Sequence, residues 1–272
     1  MSEEATKVLV KYIRRLLCEF GDENLFENFP SSMHKLRKHL KIDNFITYSV
    51  CQSCNKLYTK KEVVNSQNNN RQLSIKKCNH VEFPNIIGSR QIVTCNSALA
   101  IQNRYLRDTI NKPILLYPFA SIKSQLEKMY MRPNFEQLCR KWTHRTVPEG
   151  IFSDIYDGQI WKEFADKESI GSRFFTKESA DTHLGFILNL DWFQPFDGTQ
   201  YTTGVVYMAI SNLPRKLRFK AENIMILGIL PGLNEVHLHY INHYLAPIVD
   251  ELCRFWDGVQ ISTYENPSGK II

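Results

Sequence analysis

A chain of 272 residues can bury at least one sizeable core and make one or two domains. Its content of 43% hydrophobic and 23% charged residues is ordinary for a globular protein, and no apolar run approaches the roughly eighteen residues a membrane span needs. The net charge of +6 permits polyanion partners without requiring them.

The start, MSEEATKVLVKYIRRLL, is acidic and then amphipathic, unlike the basic-then-apolar order of a secretory signal. The protein is therefore expected inside the cell, with no membrane partner and its cysteines reduced. Val8, Leu9, Tyr12, Ile13, Leu16, Leu17 and Phe20 recur at helical spacing. After Pro30, Ser31 can cap a second helix carrying Met33, Leu36 and Leu40. Residues 1–44 thus read as a helical segment.

From Phe45 the pattern changes to short strands, polar turns and cysteines, and residues 45–100 read as a metal-binding module. Cys51 and Cys54 form a CxxC pair; 23 residues separate Cys54 from Cys78 and 16 separate Cys78 from Cys95. Zinc favours four tetrahedral thiolate or imidazole ligands, and CxxC brings two sulfurs to one ion. A stretch poor in large apolar residues needs such a staple to fold. The expected site is structural Zn²⁺ on Cys51, Cys54, Cys78 and Cys95, with His80 as an alternate ligand or a supporting group. Unlinked buried thiols and a redox CxxC are the competing readings. Cys18, Cys139 and Cys253 lie on apolar helix faces and are expected in the core.

Residues 101–150 read as a helical connector, with helices over Ile122 to Met131 and Asn134 to Trp142. Residues 151–272 open on Asp154 and Asp157, which suit turn and cap chemistry, Asp157 capping a short helix with Ile160, Trp161 and Phe164. Strands are predicted over Leu184 to Phe193, Thr203 to Ser211 and Asn223 to Leu230, the first and third apolar enough to be buried on both faces. A helix with Leu245, Ile248, Val249, Leu252, Phe255 and Trp256 follows, with Pro247 in its first turn. His237 and His239 alternate as on an edge strand, and Asp250 and Glu251 fall on the polar side of the helix. Nothing repeats at a fixed period.

Asp191 stands inside the first of these strands, where a charge is costly unless paired or bound to metal. Residues Tyr156 to Phe164 (YDGQIWKEF) and Leu188 to Phe196 (LNLDWFQPF) resemble stretches of CACTA-class (En/Spm-like) cut-and-paste transposases. So do Asn212-Leu213-Pro214-Arg215, Glu222-Asn223-Ile224 and Gly228-Ile229-Leu230-Pro231-Gly232, and the segment Cys78 to Asn85 with Cys95 resembles what precedes that core in fungal members. The resemblance spans roughly residues 45–270. It implies an RNase H-like nuclease fold, with Asp191 as the first catalytic, Mg²⁺-binding aspartate, although Trp192 and Gln194 replace a glycine and an asparagine of the family motif. It also implies transposon-end DNA as partner, a homo-oligomer in the complete enzyme, and a nuclear location.

The second aspartate of that fold lies on the strand after the helix, and this chain stops at Gly269-Lys270-Ile271-Ile272. One carboxylate cannot hold two Mg²⁺ ions. The expectation is thus an α+β/α/β protein: a helical N-terminal segment, a Cys₄ zinc module and an incomplete first half (β-β-β-α) of an RNase H-like domain. It is a truncated, inactive transposase, either a fragment of a longer frame or a decayed copy. The competing reading is a non-catalytic zinc-containing module that binds DNA or protein. Lys60, Lys61, Lys76, Lys77, Arg215, Lys216 and Arg218 are the candidate phosphate contacts.

Overall fold

In the computed structural model the described residues are 11–12, 35, 45–68, 72–81, 94–105, 108–148, 150–166, 171–194, 198, 202–232 and 235–272. Lys11, Tyr12 and Lys35 are helical; the rest of the two N-terminal stripes lies outside these residues, as do Cys18, 82–85 and 195–197. Residues 1–45 and 46–272 make two separate compact units. The elements below belong to the second, except that its first strand begins at Phe45.

The chain runs through β1 (Phe45–Val50), β2 (Leu57–Thr59), α1 (Lys60–Val64), β3 (Ala100–Tyr105), β4 (Asp108–Pro113) and β5 (Leu115–Ala120). It continues through α2 (Ile122–Tyr130), α3 (Phe135–Arg140), α4 (Gln159–Glu163), β6 (Phe186–Phe193), β7 (Thr203–Ile210), α5 (Arg215–Arg218), β8 (Ile224–Leu230) and α6 (Ile241–Trp256). A last pair, β9 (Gln260–Ile261) and β10 (Lys270–Ile271), closes it. Six strands form one sheet in the order β2-β1-β5-β8-β7-β6, so the cysteine segment, the connector and the C-terminal segment share a single sheet. The connector is helical only in its second half; β3, β4 and β5 precede α2.

The helices cover this sheet with residues spaced to face it. Ile122, Leu126 and Tyr130 of α2, Phe135 and Cys139 of α3, and Ile241, Tyr244 and Ile248 of α6 are buried with Val206, Met208 and Ile210 of β7. Burying such side chains is the main stabilising term, about 2 kcal/mol for each large one. A bulge on β8 sets the register. Val206 pairs with Gly228 but Tyr207 pairs with Ile226, so Leu227 is extra and the alternation restarts with Leu227 and Leu230 inward. Gly228 is required by a close approach, because a Cβ there would lie 2.2 Å from Tyr117 Oη.

Several expectations are corrected. β6 is an edge strand, not one buried on both faces. Among the described strands it pairs with β7 alone, and Leu188, Asn189, Leu190 and Asp191 are exposed. The most buried strand is β7, whose two sides are taken by β6 and β8. α6 starts four residues earlier than the apolar stripe indicated, so Pro247 sits in its second turn. Cys253 is exposed on the outer side of that helix, whereas Cys139 is fully buried. Glu251 is not merely solvated: its Oε2 accepts the Ile122 backbone N–H at 2.6 Å, satisfying a donor at the start of α2. His237 and His239 lie before α6 outside any strand, their rings 5.9 Å apart.

Asp157 does not cap α4, whose N-cap is Gly158. Asp154 caps the preceding 3₁₀ turn, Ile155–Asp157, and Asp157 closes the box by accepting the backbone N–H groups of Ser153 and Asp154, each at 2.8 Å. Arg145 forks onto the same carboxylate at 3.1 and 3.2 Å. Burial alone would raise this carboxyl, but those N–H groups and Arg145 outweigh it and hold its pKa at about 2, against an ordinary 3.8. Its stabilising contribution is therefore complete above about pH 4 and is lost as pH falls towards 2. Urea unfolding of wild type and Asp157→Asn should show a stability gap that is constant near neutrality and shrinks below pH 4. A gap independent of pH would contradict this assignment.

Candidate metal centre

The two cysteine pairs are brought together by different devices. Cys51 directly follows the buried end of β1, and the chain turns back through Asn55, which takes a left-handed φ of 58° while its N–H donates to Cys51 O at 3.0 Å. Asparagine is among the few residues that adopt this conformation readily. Cys78 and Cys95 sit on two short extended segments joined by backbone bonds. Cys78 N donates to Ser97 O at 2.8 Å, Asn96 N to Cys78 O at 3.0 Å and Cys95 N to His80 O at 2.8 Å. Asn96, following Cys95 as Asn55 follows Cys54, is also left-handed, at 54°.

The result is a cluster in which the Sγ atoms of Cys51, Cys54, Cys78 and Cys95 all lie within 4.8 Å of one another. Cys51 and Cys95 are 3.6 Å apart and Cys54 and Cys78 are 3.5 Å apart. Four thiolates around a tetrahedral ion at Zn–S lengths would sit about 3.8 Å apart, so the four sulfurs are spaced to hold a metal ion. His80 is not in this group; its ring packs edge-on against His243, centroids 5.0 Å apart. Among the described residues this is the one such group of three or more potential ligands.

The electrostatics follow from burial. Cys51, Cys54 and Cys78 are almost fully buried, and burial drives the thiols of Cys51 and Cys54 upward, so both resist ionising without a cation. Cys95 is less covered. Burial raises its thiol too, but contacts with Ser97, whose hydroxyl is 3.3 Å away, and with the neighbouring cysteines bring it down to about 7. Tyr58, which composition and spacing did not single out, donates to Cys78 Sγ at 3.1 Å and to Asn79 Oδ1 at 2.8 Å. Such outer contacts fix the orientation of a ligand.

Asp191 stands apart from this centre. It is exposed on β6, opposite Val205 of β7, and its Oδ1 accepts the N–H of its own neighbour Trp192 at 2.9 Å. No group of three or more metal-ligating side chains includes it among the described residues. Trp192 itself is accommodated by Gly204, its partner across β7, where a Cβ would meet the indole at 2.8 Å.

The basic candidates divide. Lys60, Lys61 and Lys77 are exposed beside the cysteine cluster, and Lys76 is half-buried, 3.6 Å from Glu62 and above the Tyr58 ring. Arg215 and Lys216 are exposed on α5. Arg218 is corrected: it is only 3% exposed and cannot reach a phosphate. Its guanidinium donates to Asp154 Oδ1, Tyr156 Oη and Ser211 O at 2.9 Å and to Leu213 O at 3.1 Å. It is an internal bracket, and removing one partner of such a buried pair costs about 3–5 kcal/mol. An apolar cavity of about 1090 Å³ is walled by Trp161, Phe174, Phe175 and Trp256, and among the described residues its acidic lining side chains, Asp166 and Asp257, do not suit a polyanion.

The protein is a mixed α/β structure with a mostly antiparallel sheet and a four-cysteine cluster that could hold a metal ion. Residues 149–269 match the family model described as transposase family tnp2, which supports a transposase-like protein. No curated protein and no solved structure matches the chain. No helix among the described residues is long and apolar enough to cross a membrane.

Elemental analysis of the protein purified without chelator should give about one thiophilic divalent ion per chain. Cys54→Ser and Cys78→Ser should each lose it, together with several degrees of melting temperature. A metal-free preparation that melts at the same temperature as the loaded one would contradict a metal centre here.

Proposed function

We propose that this chain is a transposase-like DNA-contacting protein of the CACTA class, in which structural Zn²⁺ on Cys51, Cys54, Cys78 and Cys95 organises the part that meets DNA. The observation that carries the reading is the tnp2 match over residues 149–269, which includes the whole of β6 and its Asp191. Zinc is favoured over other ions by the ligand set, since four thiolates in a tetrahedral spacing suit an ion without geometric demands of its own. The surrounding cluster supports a structural role: among the described residues its buried members besides the cysteines are Tyr58, Val63, Leu99 and Ala100. A core that small needs a staple. The reading further places the protein in the nucleus, with transposon-end DNA as the specific target and a homo-oligomer as the complete enzyme.

In that reading β6, β7, β8 and α6 correspond to the β-β-β-α opening of an RNase H-like domain, and Asp191 is its first acidic ligand. In a complete enzyme of this class Mg²⁺ supplies Lewis-acid activation of the attacking and leaving oxygens during strand cleavage and transfer. Among the described residues Asp191 joins no group of three or more potential ligands, which falls short of what a two-ion site needs. These residues by themselves therefore do not cut DNA. The non-catalytic binding module is supported by the same contrast, because the ligand group that converges is thiolate and not carboxylate.

Zinc-loaded protein should shift a mixed-sequence duplex at low salt, lose affinity steeply as salt rises, and leave the strands intact with Mg²⁺ or Mn²⁺. Cleavage that disappears in Asp191→Ala would overturn the incomplete-site reading. Absence of any duplex binding at low salt would overturn the DNA reading.

A further inference from the structure

The hairpin β3–β4 lies outside the main sheet and springs from the cysteine cluster. It forms a separate two-stranded antiparallel sheet, with Ala100 opposite Pro113, Ile101 opposite Lys112, Gln102 opposite Asn111, Asn103 opposite Ile110 and Arg104 opposite Thr109. We infer that this ribbon is a groove-docking arm for duplex DNA, carried on the metal centre. The inference rests on the DNA-binding reading above and adds to it which surface makes the contact.

The root of the ribbon is fixed. Leu99 and Ala100 are buried within the cysteine cluster, and Ile114 N donates to Leu99 O at 3.2 Å across the base. Asn111, only 3% exposed, donates from Nδ2 to Ser74 O at 2.8 Å, close to Val64 O at the end of α1. Gln102 donates to Leu73 O at 3.3 Å on the same side. One face of the hairpin is thereby bound down, and the other is left outward.

That outward face carries Ile101, Asn103, Ile110 and Lys112, with Ile101 50% and Ile110 45% exposed. Two exposed isoleucines around an amide and a cation make a poor solvent surface. They suit a major groove, where amides read adenine edges and aliphatic groups meet thymine methyls. The groove, about 12 Å wide, admits two strands about 5 Å apart. The charge is complementary to phosphate. Lys112 is exposed on this outward face, Arg104 is exposed near the hairpin's tip on the face it shares with Gln102 and Asn111, and Lys60, Lys61 and Lys77 are exposed on the elements that anchor it. Lys77 bridges to Ala98, two residues before β3 begins, so these lysines flank the ribbon's root, where a duplex backbone would pass. The position also couples function to metal: the segments that hold Asn111 and Leu99 are those the four cysteines bring together.

The test is fluorescence anisotropy of the zinc-loaded full chain on a labelled mixed-sequence duplex, titrated at several salt concentrations. Arg104→Ala/Lys112→Ala should weaken binding about tenfold and flatten the log–log salt slope by about 2, as two lost phosphate contacts require. Ile101→Asp should weaken it further while circular dichroism and metal content stay those of wild type. Wild-type affinity and slope in these variants, with the loss appearing in Arg215→Ala/Lys216→Ala instead, would overturn the ribbon assignment and leave the DNA reading standing. An Ile101→Asp variant that turns a sedimenting dimer into a monomer at unchanged DNA affinity would also overturn it, making the face a contact between copies. A wild-type chain that binds no duplex would remove both.

Discussion

Four sulfur atoms gathered within 4.8 Å, three of them on buried cysteines, are the constraint on which the first part of this fold depends. Burial raises the thiols of Cys51 and Cys54, so without a cation the cluster is a small, weakly cohesive core. In the proposed zinc-bound state the same burial becomes an advantage, because a divalent ion favours thiolate and a dry site strengthens the attraction. The effect is not confined to the knuckle. Tyr244 of α6 donates to Asn55 Oδ1 at 2.9 Å, Tyr117 of β5 donates to Tyr244 O at 3.2 Å, and the Tyr117 ring lies over Gly228 of β8. One line of contacts therefore runs from the cysteine turn to the middle of the sheet.

A second bracket holds the region matched by the transposase family. Arg218 ties Asp154 and Tyr156 to the carbonyls that follow β7, and Asn212 accepts Gly185 N at 2.9 Å while donating to Ala180 O and His183 O. Asn223 donates to Leu217 O and accepts from Arg132. At the far end Lys270 pairs with Glu136 and Asp181, which Arg140 also reaches, fixing β10 against α3. Several residues that carry the family resemblance thus satisfy buried backbone groups, which explains them without assigning them chemistry.

The strands β6, β7 and β8 and the helices α2, α3 and α6 were legible because their apolar spacing is local. The CxxC pair was legible for the same reason. The partnership of Cys78 with Cys95 was readable only as a count of thiols, since it is made by backbone pairing between segments that carry no strong strand pattern. Arg218 looked like a surface cation because it lies among other cations; its burial comes from Asp154, 64 positions away, which local pattern does not report. β6 looked buried from its apolar run, but a strand's faces are buried only where another layer packs on them, which local pattern does not report, and Leu188 and Leu190 at the sheet's edge are exposed. The ribbon β3–β4 was missed because AIQNRYLRDTINKP lacks apolar alternation: its strands are held by pairing with each other and by polar contacts of Asn111 and Gln102, not by an apolar face.

The most direct measurement is X-ray absorption at the metal edge of the purified, zinc-loaded protein. The account predicts a single shell of four sulfur scatterers at about 2.3 Å with no nitrogen or oxygen ligand. A shell containing imidazole, or a mixed oxygen–sulfur shell of lower sulfur count, would contradict the four-cysteine centre on which the ribbon and the sheet beside it are built.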